Sequence, residues 1–225
     1  MKNVAEIAAR AATHDPNRRA IELLEPSLAA EVIARMKGAR MEAPQGLGGA
    51  EGGQTESIAT LWFADDFYDE LGTGRIEGLP TVTWNGVDAF IFRQNPERPF
   101  RYITAGGRAI EPQIMETDGG SIPRLLQGFA KFSSWGYGPA YIIHDWLFVA
   151  EKCRYAPDTD FTLESAGRVM AEIMKTLMEV GFTNYDGHVA RLTKAEDTLY
   201  VMYQAVISGI AEELWDAADS VRCLR

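Results

Sequence analysis

Ile21, Leu24, Leu28, Val32 and Met36 recur at three- and four-residue steps through RRAIELLEPSLAAEVIARMK, which predicts an amphipathic helix. A shorter helical run, VAEIAARAA, precedes it across the break His14-Asp15-Pro16, and Pro26 is placed to kink or restart the longer one. Residues 1–41 therefore read as a helical arm. Residues 42–56, EAPQGLGGAEGGQTE, hold five of the 21 glycines and read as a flexible linker.

From residue 57 the texture changes. SIATLWF, LPTVTWNGVDAFIFRQ and PFRYITAGGRAIEPQIMET are rich in β-branched and aromatic residues between turn signals. Asn85-Gly86 lies between two alternating runs, a strong hairpin signal, and Ala105-Gly106-Gly107-Arg108 supplies a second. The expectation is a small antiparallel sheet of three to five strands.

From Ser121 onward the pattern becomes helical. Pro123 suits a helix start in IPRLLQGFAKF, and SSWGYGP forms an elbow before a helix through AYIIHDWLFVAEKC. Asp160 or Thr162 can cap LESAGRVMAEIMKTLMEV, and Gly181 ends it. A last helix is expected from His188 or Thr193 to the C-terminus, with Leu199, Met202, Val206 and Ile210 on one face. The fold class is α+β over residues 57–225, mostly β over 57–120 and mostly α over 121–225.

Composition narrows the function classes. With 22 basic and 32 acidic residues the net charge is −10, the wrong sign for a general phosphate-backbone binder. No stretch approaches the roughly 18 apolar residues of a membrane span, and MKNVAEIAARAATHDP lacks the apolar core of a signal peptide. A soluble protein made in the cytoplasm is expected. Cys153 and Cys223 form no knuckle or framework and read as two reduced thiols.

Only three histidines are available: His14, His144 and His188. His14 lies in the arm and His188 beside a glycine in a loop, so a three-histidine metal site is not expected. His144 and Asp145 sit in an apolar helix, where adjacent residues point to different faces and each needs its own partner. His144 suits a general base. Asp145 suits a cation or the amides of the Thr117–Ser121 turn. In TDGGSIPR, Asp118, Ser121 and Arg124 offer a carboxylate, a hydroxyl and a guanidinium beside a helix N-terminus, the inventory of an anion or metal site. The same residues equally make an Asx-turn and a helix cap. Tyr137, in the elbow, is a candidate for lining a pocket near His144. Asp65-Asp66, Asp158/Asp160 and Glu212-Glu213 read as solvated surface.

Taken together, T-D-G-G-S-I-P-R and A-Y-I-I-H-D-W-L-F resemble the paired motifs of a family of unknown function spread through tailed phages and prophages. The resemblance spans roughly residues 57–205 and rests on Thr117, Asp118, Ser121, Pro123 and Arg124, then His144, Asp145 and Leu147. It implies a phage or prophage origin. Where that family carries an Ala-Asp-Arg-type motif, this chain has Ala166-Gly167-Arg168, with Glu164 as a candidate replacement for the acid. His144-Asp145 is also similar, over five residues, to the His-Asp helix of secreted phospholipases A2. There the His is a general base and the Asp a calcium ligand, which implies a divalent cation on Asp145 and Asp118.

Two function classes follow. One is a hydrolase-like protein with His144 as base, Asp145 and Asp118 as ligands, and Thr117, Ser121, Arg124 and Tyr137 binding substrate. The other is a non-catalytic structural or partner-binding phage protein in which both motifs form a buried clamp. In either, the arm is the expected contact to another copy or a phage protein, and virion association is open alongside the host cytoplasm.

Overall fold

The hairpin expected at Asn85-Gly86 joins two paired strands. The computed structural model describes residues 64–86, 90–117, 136–217 and 221–224, so the arm, the linker and Asp118–Pro123 of the first motif lie outside the described residues, as does Arg124. Strands β1 (Arg75–Glu77), β2 (Thr81–Trp84), β3 (Phe90–Arg93), β4 (Arg101–Ile103), β5 (Ala109–Ile110) and β6 (Met115–Thr117) make two antiparallel sheets, ordered β1-β4-β5 and β2-β3-β6. In the second sheet Trp84 pairs with Phe90, and Phe90 with Thr117. The described fold is α+β, with small antiparallel sheets and a helical C-terminal half, as expected.

Two expectations for the β region need correction: among the described residues, six strands in two sheets replace the single sheet of three to five, and a helix precedes them. Residues 64–70 are helical (α1), because Ala64, Tyr68 and Leu71 repeat at helical spacing and are buried, while Asp65, Asp66, Asp69 and Glu70 are exposed. The buried ammonium of Lys175 holds the end of this helix, donating to the carbonyls of Tyr68 and Leu71 at 2.8 Å each. The Tyr68 carbonyl also accepts from the Leu71 amide at 3.2 Å, and a cation complements that end of the helix dipole.

Helix α2 (Gly138–Cys153) begins with Pro139 in its first turn and ends at Arg154 in the left-handed region. Every residue from Ala140 to Ala150 is buried, so α2 is the central helix of the described fold. It packs mainly on α3 (Leu163–Glu179) and also meets β6. Of the two candidate caps for α3, Thr162 is used: its hydroxyl accepts from the Ser165 amide, and Ser165 returns the bond to the Thr162 amide. Gly181, at φ 85°, follows its end.

The C-terminal half is less uniformly helical than expected. After Gly181, β7 (Phe182–Thr183) and β8 (Val189–Ala190) form a hairpin. Its turn repeats that of β4–β5. Thr104 N–H donates to Arg108 O at 2.9 Å and Gly107 N–H to Thr104 O at 2.8 Å; Asn184 donates to His188 O at 2.8 Å and Gly187 to Asn184 O at 3.0 Å. Gly107 and Gly187 take φ of 85° and 82°, which glycine adopts without steric penalty. The expected last helix is two, α4 (Glu196–Val206) and α5 (Gly209–Asp216), with Ser208 capping the second.

Two further readings are overturned. Cys153 and Cys223 are bonded to each other, with Cα atoms 5.6 Å apart, and are not free thiols. Asp158 is 1% exposed. It accepts from the Trp146 indole at 2.8 Å and from Arg108 at 3.2 Å, so it pins the α2–α3 connection to the core. Asp160, by contrast, is exposed and pairs with Arg108 at 2.6 Å. Asp65-Asp66 and Glu212-Glu213 are exposed as expected.

Candidate functional site

Alternation along β6 aims Thr117 at α2. Met115 and Thr117 are buried on one face, whereas Glu116 points away and accepts from Asn85 at 2.9 Å. The Thr117 hydroxyl donates to Asp145 Oδ2 at 2.5 Å inside the protein. A short bond to an ionised acceptor is a strong one. The last residue of the sheet is thereby tied to the middle of the central helix across 28 positions of sequence. Asp145 therefore does meet the first motif, through the side chain of Thr117.

His144 and Asp145 are 2% and 6% exposed. Nδ1 of His144 lies 3.8 Å from Asp145 Oδ1. That is too long for a hydrogen bond, as expected of neighbours on a helix, yet close enough for the carboxylate to act on the ring. Nε2 of His144 is buried and has no hydrogen-bond partner among the described residues. One turn on, the Phe148 ring packs 5.1 Å from the imidazole. Leaving a buried polar atom unpaired costs about 1–3 kcal/mol.

Other candidates fall at varying distances from this cluster. Tyr137 is buried just before α2, where it precedes the first turn. Four residues on, burial, then Tyr137 and Asp145, push the Tyr141 hydroxyl well above its ordinary range, so it stays protonated. Its hydroxyl contacts Met202 Sδ at 3.9 Å. His188 is exposed in the β7–β8 turn. Asp118, Ser121 and Arg124 lie outside the described residues. Among the described residues, no group of three His, Cys, Asp or Glu side chains could hold a metal ion, so of the two proposed ligands only Asp145 is placed.

The position of the expected family acid is filled by packing. A Cβ on Gly167 would lie 2.6 Å from Ile207 Cγ2 and 3.4 Å from Tyr203 and Val206, so α3 meets the end of α4 there without room for a side chain. Glu164, the suggested replacement, is exposed in the first turn of α3, whereas His144 is buried. No bond joins them among the described residues.

A second polar cluster links α3 to the first sheet. The Tyr102 hydroxyl donates to Glu172 Oε1 at 2.6 Å and lies 3.0 Å from Thr176 Oγ1. Thr176 Oγ1 also accepts from the Gly74 amide at 2.9 Å, and Glu172 Oε1 from the Ala105 amide at 2.9 Å. Burial, then the Glu172 bond, drives the Tyr102 hydroxyl far above its ordinary range. Tyr102, Glu172, Thr176 and Gly74 carry no motif that the sequence pattern marked. Their polarity in an otherwise apolar face of α3 was the available signal.

Residues 96–186 match the model of a family described as a protein of unknown function, DUF1353. The match is to an uncharacterised family. It runs from the approach to β4 through α2 and α3 into the β7–β8 turn, so Thr117, His144 and Asp145 all lie within it, and it is narrower than the span 57–205. No curated protein and no solved structure matches the chain. Among the described residues no helix is long and apolar enough to cross a membrane.

Proposed function

We propose that the chain is a phage- or prophage-encoded protein with a hydrolase-like site in which His144 is the general base. The observation that carries this reading is the buried, unpartnered Nε2 of His144, beside an imidazole Nδ1 that faces a fixed carboxylate. Thr117 donates to Oδ2 of Asp145, and Oδ1 lies 3.8 Å from Nδ1 of the ring. When Nε2 takes a proton from water or a substrate hydroxyl, the Asp145 carboxylate stabilises the imidazolium that forms. Asp118, Ser121, Arg124 and Tyr137 complete the reading as ligand and substrate-binding groups, Arg124 for an anionic substrate. A divalent cation on Asp145 and Asp118 is part of the same proposal.

The second reading, a non-catalytic phage protein, is favoured by a different observation: both side chains are buried, and the Thr117–Asp145 bond ties sheet to helix. In either reading the helical arm 1–41, on its linker 42–56, serves as the contact to another copy or to a phage partner.

A broad hydrolase screen, with and without divalent cations, of the wild type beside His144→Leu tests the choice. The catalytic reading expects an activity in the wild type and its loss in a variant that keeps the wild-type circular dichroism and unfolding midpoint. A variant that unfolds while the wild type shows no activity supports the clamp.

A further inference from the structure

The C-terminal segment meets the same helix that carries His144, at three places. Trp215 of α5 packs edge-on against Phe148, with ring centroids 4.5 Å apart, and Phe148 itself covers His144. Farther along α2, Cys223 is bonded to Cys153, the last residue of the helix. Beyond that, the Tyr155 hydroxyl donates to Leu224 O at 2.6 Å. Cys223 is exposed and Cys153 half-buried, so one sulfur can be approached from solvent. Lys152 and Arg154, on either side of Cys153 in sequence, pair with Glu151 at 3.4 and 3.5 Å. An exposed sulfur is the one an incoming thiolate reaches, and exchange proceeds by attack on it.

We propose that Cys153–Cys223 is a thiol–disulfide exchange site whose reduction loosens the C-terminal segment from α2 and opens access to His144. The co-reactant is a dithiol. Its thiolate attacks Cys223 Sγ, a mixed disulfide forms, and Cys153 leaves as a thiolate. The second thiol of the reductant, deprotonated, then attacks its own sulfur in the mixed disulfide and releases Cys223 as a thiolate. Two electrons pass to the protein, which gains two thiols on protonation, and the dithiol becomes a disulfide. Once the bond is broken, residues 221–224 are held by weaker contacts, and Trp215 is freer to move off Phe148. The inference rests on His144 being the reactive group proposed above, but its test reads chemical modification and not turnover, so either can fail alone.

The test uses the full chain isolated without reductant, treated with dithiothreitol or left untreated, then exposed to diethyl pyrocarbonate and mapped by mass spectrometry. Exposed His188 is the internal reference. The expected result is a bond that dithiothreitol reduces without denaturant, with His144 modified at least about tenfold faster in the reduced protein and His188 unchanged. Cys223→Ser should behave as the reduced form under both conditions, and the wild-type comparison stands without it if that variant does not fold. Equal His144 rates in the two states overturn the proposal. So does a bond that resists dithiothreitol in the native protein, or two free thiols that do not pair on treatment with oxidised glutathione.

Discussion

The polar cluster on α3 and the one on α2 are built to different degrees of completion. On α3, Thr176 Oγ1 accepts from the Gly74 amide and donates to its own helix carbonyl, while Glu172 Oε1 accepts from Tyr102 and the Ala105 amide. On α2, Thr117 serves Asp145, while His144 leaves one ring nitrogen facing a carboxylate at 3.8 Å and the other without a partner. A cluster kept only to join sheet and helix gains nothing from an orphaned nitrogen. A proton-transfer site needs one nitrogen that the protein itself does not engage. The first cluster thus shows what a finished clamp looks like in this protein, and the second departs from it at the atom a base would use.

Substitutions can widen or collapse that contrast. The largest effect is expected at a third buried polar group, Asp158, which fastens the middle of the α2–α3 connection. Asp158→Ala removes the acceptor of Trp146 and one partner of Arg108, and denaturant unfolding should show a loss of about 3 kcal/mol. Thr176→Val keeps the shape of a fully buried residue and removes the centre of the α3 clamp. Its expected cost is about 2 kcal/mol in the same measurement. If it costs nothing, that cluster is no benchmark for a structural role.

A smaller effect is expected at the surface end of the Asp158 anchor. Hydrogen bonds from Arg108 hold the Asp160 carboxyl below its ordinary range, against a modest opposing effect of burial. Its folded value is the lower one, so its contribution is present above the unfolded carboxylate value and is lost as pH falls through the folded one. Asp160→Asn should therefore flatten the acid side of the stability–pH profile. At 66% side-chain exposure the change near neutral pH should stay under about 1 kcal/mol.

How much was legible follows from which signals are local. Asn85-Gly86, Ala105–Arg108, Thr162 and Gly181 act within a few residues, and each forms the turn, cap or stop expected of it. The β7–β8 hairpin was equally local: Asp186-Gly187 is a turn signal of the same kind, but the helical texture around it was read through. Asp158 and the cysteine pair were not local. The carboxylate is buried because Trp146, twelve residues back, and Arg108, fifty back, converge on it. The disulfide spans 70 positions. At the candidate site, pattern alone gave His144 and Asp145 as separate-facing neighbours, and β6 alternation could have aimed Thr117 at them. The unpartnered Nε2 could not be read from sequence, because it depends on what the described elements packed around it fail to offer.

The central claim is that His144 is held for chemistry at a cost to folding, unlike Thr176. The direct measurement is the unfolding free energy of His144→Leu beside Thr176→Val, in denaturant at neutral pH. The account predicts that His144→Leu is as stable as the wild type or up to about 1 kcal/mol more stable, since an unpaired buried nitrogen is replaced by an apolar group of similar size. A loss of about 2 kcal/mol, equal to that of Thr176→Val, would make His144 one more structural residue and contradict it.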